Sequence, residues 1–291
     1  MYKKRWFFLS CSILFAYSCT NEINLQELAK PQPEYSFFTA GHAYGEPGVD
    51  NIGLHPAMSE VFPFLNERVD IELGVFTGDV VLHSTKENWE ELAADLEMLN
   101  VETYIAPGNH DLDNIDLYEI YNGETEFSFT SNGDLFVILE TTTTNWNITT
   151  QKIQKLKWDI DCKLNSSDRI FIFCHQLIWY EEGTKYDNCL PNSQEGKDGI
   201  TDFFSEFLPM LQSLEQEVVV YAGDIGAFPN GCSIMYEELG NVSLIASGMG
   251  GGISDNVVIT NIYDTGEIDF EIIALNGDDR SKLGEIEDYR I

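Results

Sequence analysis

The sequence predicts an α/β protein in which two mixed β-sheets pack face to face with helices outside them. Three observations carry this expectation. Between residues 35 and 105, hydrophobic strands alternate with amphipathic helices, the signature of parallel strands with covering helices. The later chain adds hairpins and closely spaced strands, which supply antiparallel pairing. Several strands also end in short glycine turns followed at once by polar residues, at the sheet edge where α/β proteins gather their chemistry.

In chain order, residues 35–39 read as a strand, 55–68 as a helix and 72–77 as a second strand. Residues 86–100 carry Trp89, Leu92, Ala93, Leu96 and Leu99 on one face, which is helical spacing. The third strand runs into Tyr104-Ile-Ala-Pro-Gly-Asn-His-Asp111. Strands at 126–130 and 134–140 flank Asn132-Gly133, a hairpin signal because both residues tolerate positive φ. A helix at 149–164, a buried strand at 168–174, a helix at 201–214 and a strand at 217–221 follow. Three more strands are expected at 242–246, 257–262 and 268–273. With 291 residues, 43% of them hydrophobic, the chain suffices for one large domain, expected over residues 35–291. No internal repeat points to a solenoid or propeller.

Residues 1–18 read as an export signal. Lys3, Lys4 and Arg5 precede an apolar run over residues 6–17, too short to span a bilayer as a helix. It ends in Ala16-Tyr17-Ser18-Cys19, which resembles a bacterial lipoprotein signal and makes Cys19 the expected lipidated first residue, anchored to a periplasmic or outer-membrane face. Residues 19–34, polar and ending in Pro31 and Pro33, then form a flexible tether.

The formal net charge is −33. So acidic a surface excludes nucleic acid as an expected partner, because phosphate backbones are bound by Lys and Arg. An enzyme acting on phosphate esters would need bound cations to reverse the sign locally. Of the six cysteines, Cys11 falls in the signal and Cys19 in the lipid site. The remaining four could pair in three ways. Cys174, in a hydrophobic strand, is expected as a buried thiol, and Cys189 and Cys232, in Gly/Asn/Pro-rich loops, as a bridge.

Five strand tips then stand in order: His42, Asp79, Asn109-His110-Asp111, His175 and Asp224. Imidazole, carboxylate and amide oxygen are the ligands that Zn, Mn, Fe or Ca ions take. Residues from separate strand ends can converge on an ion without distorting the scaffold. His55 and His83 lie off the tips, and core packing is the expected role of Tyr44, Trp179 and Tyr180. Gly248-Met-Gly-Gly-Gly252 follows a strand but lacks the Lys and the following helix of a phosphate-binding P-loop.

This pattern resembles the calcineurin-like metallophosphoesterase family over about residues 35 to 250. That family carries DxH, GD, GNH(D/E), a lone His and GHxH on successive strand tips. Here GD stands at 78–79, GNHD at 108–111 and the lone His at His175, whereas DxH has become Ala40-Gly41-His42 and GHxH has become Gly223-Asp224-Ile225-Gly226. The resemblance implies a four-layer αββα sandwich and two metal sites sharing Asp79. The first would keep His42 and Asp79; the second would keep Asp79, Asn109 and His175, with Asp224 in place of a histidine. It further implies a hydrolase of phosphate mono- or diesters, here exported and lipid-anchored, with envelope or polysaccharide-linked phosphates as the expected substrates. A metal-bound water would be the nucleophile and His110 the general acid, with Asp111 accepting the other imidazole N–H. The alternative expectation is a catalytically impaired lipoprotein on the same fold, acting as a binding or structural protein of the cell envelope, because two motifs have lost ligands.

Overall fold

The computed structural model describes residues 31–164, 169–228 and 231–291. Cys19, the export signal and most of the expected tether lie outside the described residues. Residues Pro33–Ile291 form one compact unit.

The first sheet has the order β11-β10-β1-β2-β3. Its parallel strands are β1 (Tyr35–Ala40), β2 (Ile71–Phe76) and β3 (Glu102–Ile105), joined through α1 (Pro56–Glu67) and α2 (Lys86–Leu96). The late strands β10 (Asn256–Ile262) and β11 (Ile268–Ala274) return antiparallel beside β1. The second sheet has the order β4-β5-β6-β7-β9-β8. Its parallel core is β5 (Asp134–Ile138), β6 (Ile170–Phe173), β7 (Val218–Ala222) and β9 (Val242–Ser247), with β4 (Phe127–Ser131) and β8 (Ile234–Leu239) antiparallel at the edges. Asn132 and Gly133 take φ of 52° and 89°, the two-residue hairpin turn that an Asn-Gly pair predicts.

The helices form where the sequence caps them. His55 accepts the Ala57 N–H and Pro56 supplies a fixed first turn, so α1 presents Ala57, Met58, Val61, Phe62 and Leu65 to the sheet. Thr85 caps α2, and Thr149 caps α4 (Thr150–Lys163). Two elements escape the sequence reading: β8 and the short α3 (Ile115–Asn122), capped by Asn114. The helix expected at 201–214 is a π-helical turn over Phe203–Phe207 leading into α5 (Leu208–Gln212). Pro209 has no N–H to give the Ser205 carbonyl, and the wider turn relieves the clash its ring would make there.

Three apolar layers result. Between the sheets, Phe37 meets Phe136 and Phe171 edge-on at centroid distances of 5.2 and 4.8 Å. Outside the first sheet, α1, α2 and α3 bury Met58, Phe62, Trp89 and Tyr118; outside the second, α4 and the 203–212 segment bury Leu156, Phe203 and Leu211. This is a helix–sheet–sheet–helix sandwich, as the sequence predicts. Cys189 and Cys232 are joined in a disulfide, and Cys174 is a buried free thiol. Among the described residues no helix is long and apolar enough to cross a membrane.

Candidate metal centre

The C-terminal ends of β1, β2, β3, β6 and β7 face one edge of the sandwich, and backbone hydrogen bonds lock their tips together. The His42 N–H reaches Gly78 O at 3.1 Å, and the Tyr44 N–H reaches Asp79 O at 3.0 Å. Across the second sheet, the N–H groups of Gly223 and Asp224 both donate to His175 O at 2.9 Å. Glycine makes the approach possible. At Gly78, with φ of +79°, a Cβ would lie 2.5 Å from His175 Nδ1; at Gly108 it would lie 2.2 Å from Asp79 Oδ1.

Three side chains converge. His175 Nε2 lies 3.3 Å from Asp79 Oδ2 and 3.8 Å from Asp224 Oδ1, with all three residues buried. Their ligand atoms lie within 4.8 Å of one another, and among the described residues no other three His, Cys, Asp or Glu side chains form such a group. His175 Nδ1 meets Thr77 O at 2.9 Å; a carbonyl can only accept, so Nδ1 carries hydrogen and Nε2 is the ring atom that could coordinate an ion. His175 Nε2 and Asp224 Oδ2 are both buried without a hydrogen-bond partner. Unpartnered buried polar atoms are costly, and two of them around a shared carboxylate fit a divalent cation.

The electrostatics agree with a cluster that binds positive charge. Burial works against a charged His175, but Asp79 and Asp224 outweigh it and push the imidazole up to about 10. Burial likewise works against an ionised Asp79, and His175 outweighs it, so this carboxyl falls below its usual range. Asp224 rises well above the usual carboxylate range, chiefly through burial.

His42 stands at the edge of this group. Its Nε2 is 3.9 Å from Asp79 Oδ2, and its Nδ1–H is held by Met249 O at 2.9 Å. Burial pushes it down to about 4, so it is neutral with a bare Nε2. Asn109 and His110 sit half-buried on the β3 tip, and the His110 N–H donates to Asp79 Oδ1 at 3.1 Å.

Asp111 corrects one expectation. It does not orient His110, whose Nδ1–H goes to Leu82 O at 2.7 Å. The 3-10 turn Asp111–Asn114 swings its carboxylate under the tips instead, where it accepts the N–H groups of Asp79, Val80, Val81 and Gly108 at 2.8–3.2 Å. Asp111 is thus the clamp between the β2 and β3 tips. Burial, with the nearby Asp79 charge, pushes it up to about 6.

Sequence reasoning also missed the carbonyls of Thr77, Leu82 and Met249, which set the three imidazoles; backbone oxygens carry no residue signature. Tyr44 is buried, as expected, and packs between two of these rings, 4.3 Å from His42 and 5.0 Å from His110 by centroid. The glycine run is not a phosphate cradle either. Gly250, Gly251 and Gly252 donate their N–H groups to Asp255 at 2.9–3.1 Å.

No curated protein matches the chain. Solved structures similar to it include a putative 5'-nucleotidase from Staphylococcus aureus in complex with alpha-ketoglutarate, at 12% identity and TM-score 0.46 over 84% of this chain. The chain spans 55% of that protein's length. A conserved uncharacterized protein of Streptococcus pneumoniae, described as a predicted phosphoesterase, aligns at 8% identity and TM-score 0.39, over 83% of this chain and 90% of its own. Vps29 of Chaetomium thermophilum aligns at 8% and 0.36, over 82% and 94%. The model of the calcineurin-like phosphoesterase family matches residues 42–205, which is more than half of the chain and takes in every tip but that of β7. The chain belongs to the calcineurin-like phosphoesterase family.

Proposed function

We propose that this protein is a divalent-metal-dependent hydrolase of phosphate mono- or diesters. The observation that carries the reading is the buried pair of polar atoms without hydrogen-bond partners, His175 Nε2 and Asp224 Oδ2, beside the Asp79 carboxylate. These three residues would hold the ion, with the Asn109 amide on the adjoining tip as a further oxygen ligand. A Mn, Fe, Zn or Ca ion bound there supplies positive charge for a phosphate oxygen and makes a nearby water more acidic.

The remaining chemistry belongs to the chain. Leu82 O fixes the His110 ring through Nδ1, leaving Nε2 on the half-buried side to deliver a proton to the leaving alkoxide. Asp111 holds the tips in register so that His110 keeps its place relative to Asp79. Tyr44 packs against both His42 and His110 and limits their rotation.

Export and anchoring through Cys19 are part of the proposal. They are supported by the charged and apolar segments before Cys19 and by the Cys189–Cys232 bridge, which suits an oxidising compartment. Envelope phosphates, polysaccharide-linked ones included, are the substrates such a location offers.

The test is turnover of aryl phosphate mono- and diesters by the purified protein with added Mn, set against His110→Ala. The expected loss is roughly 10²–10⁴-fold at unchanged metal content. Equal rates in the two proteins, or none in either when loaded with metal, would refute the hydrolase and favour a binding protein on this fold.

A further inference from the structure

The family resemblance implies two ion sites sharing the Asp79 carboxylate, and the structure treats the two sides unequally. On one side Asp79 meets His175 and Asp224, with two buried polar atoms lacking hydrogen-bond partners. On the other the facing imidazole is that of His42, at 3.9 Å. Among the described residues no further His, Cys, Asp or Glu joins these two in a ligand group. Ala40 is fully buried and belongs to the apolar cluster beneath α1 and α2, so the β1 tip offers no carboxylate.

The position of Gly226 is closed by backbone rather than merely lacking a side chain. Its φ is +86°, and a Cβ there would lie 2.6 Å from Gly248 C and 2.7 Å from Met249 N. A Cβ on Gly250 would lie 2.2 Å from Gly226 O, and one on Gly248 would lie 1.9 Å from Ile225 O. The 223–227 and 248–252 segments are therefore pressed together where a further ligand would have to stand. Met249, from the same segment, takes the His42 Nδ1–H on its carbonyl, and the Tyr44 ring covers the His42 imidazole. Imidazole and carboxylate, one of each, are too few ligands for a stable divalent site.

We propose that the centre is mononuclear: one divalent cation lies among Asp79, His175 and Asp224, and His42 stays outside its coordination. His42 is then an anchored hydrogen-bond acceptor, its bare Nε2 facing the Asp79 edge. This inference rests on the metal-dependent reading above and narrows it to one ion.

The test is to load the purified full chain with excess Mn, desalt it, and measure Mn per chain by elemental mass spectrometry alongside the Mn electron paramagnetic resonance spectrum. One Mn per chain, with the spectrum of an isolated ion, is expected. His42→Gln should keep that ion and His175→Ala should lose it. Two Mn per chain with an exchange-coupled spectrum, or loss of the ion in a folded His42→Gln, would overturn the proposal while leaving the hydrolase reading intact. An absence of bound Mn, Fe, Zn or Ca in the wild-type chain would overturn both. The stoichiometry and spectrum of the wild-type protein decide the question even if a variant fails to fold.

Discussion

Replacing Gly78 by Ala tests the site's packing directly. Two costs follow from the structure. The residue holds φ of +79°, where an L side chain is strained by about 1–2 kcal/mol. Its new Cβ would also lie 2.5 Å from His175 Nδ1 and 2.7 Å from the backbone N of Gly108. The ring must move, and the hydrogen bond to Thr77 O goes with it, which costs about 1–3 kcal/mol for a buried donor left unsatisfied. The sum is about 2–5 kcal/mol. Gly48→Ala is the control, because Gly48 has φ of +82° with nothing within 4 Å of its would-be Cβ and so incurs the strain alone. The assay is urea unfolding of both variants in chelator, followed by Mn titration. Gly78→Ala should be the less stable of the two and should bind Mn more weakly than wild type, whereas Gly48→Ala should bind normally. Equal stability of the two variants, with full Mn affinity in Gly78→Ala, would refute the claim that the β2 tip and His175 are in van der Waals register.

Other perturbations read other parts of the molecule. Because the metal-free His175 keeps its proton up to about 10, and Asp224 titrates well above the usual carboxylate range, a cation must displace protons to bind. Mn affinity should therefore rise from pH 6 to pH 8, by about tenfold per pH unit for each proton released, as read by titration calorimetry in buffers of different ionisation enthalpy. A flat profile would contradict the proton-filled cluster. Replacing Cys189 and Cys232 by Ser frees a segment 43 residues long and should lower stability by about 2–4 kcal/mol in chemical denaturation. Phe37→Ala, at the fully buried contact between the sheets, should cost about 3–5 kcal/mol in the same assay, with the site residues unmoved.

Much of this architecture is legible in the sequence because its strands are buried on both faces and its tips use few residue types. A run such as Ile170–Phe173 followed by Cys174 and His175 announces both a strand and what its end presents. The convergence of Asp79, His175 and Asp224 at one sheet edge follows from that logic. Roles set by backbone geometry are not legible. Asp111 looks like a partner for the adjacent His110, but the turn it starts carries its side chain away, toward amides of residues 79–81 that lie far off in sequence. The α3 segment has only two turns and an exposed Ile120, which leaves little helical periodicity to read. The helix around Pro209 has the expected apolar spacing, yet its hydrogen bonding is decided by one missing N–H.

The glycine run around Asp255 has a consequence for how phosphate can be held. Three consecutive amides of the kind that often cradle an anion are already saturated by the protein's own carboxylate. After burial, the charged groups that act most on Asp79, His175 and Asp224 are one another, His42 and His110. The amides of residues 250–252 are thus no spare nest for a phosphate. In the proposed hydrolase the affinity for phosphate would rest on the ion, so ion and substrate would form a linked pair in which each tightens the binding of the other by the same factor. Local metal supply would then act as a gain control on substrate capture.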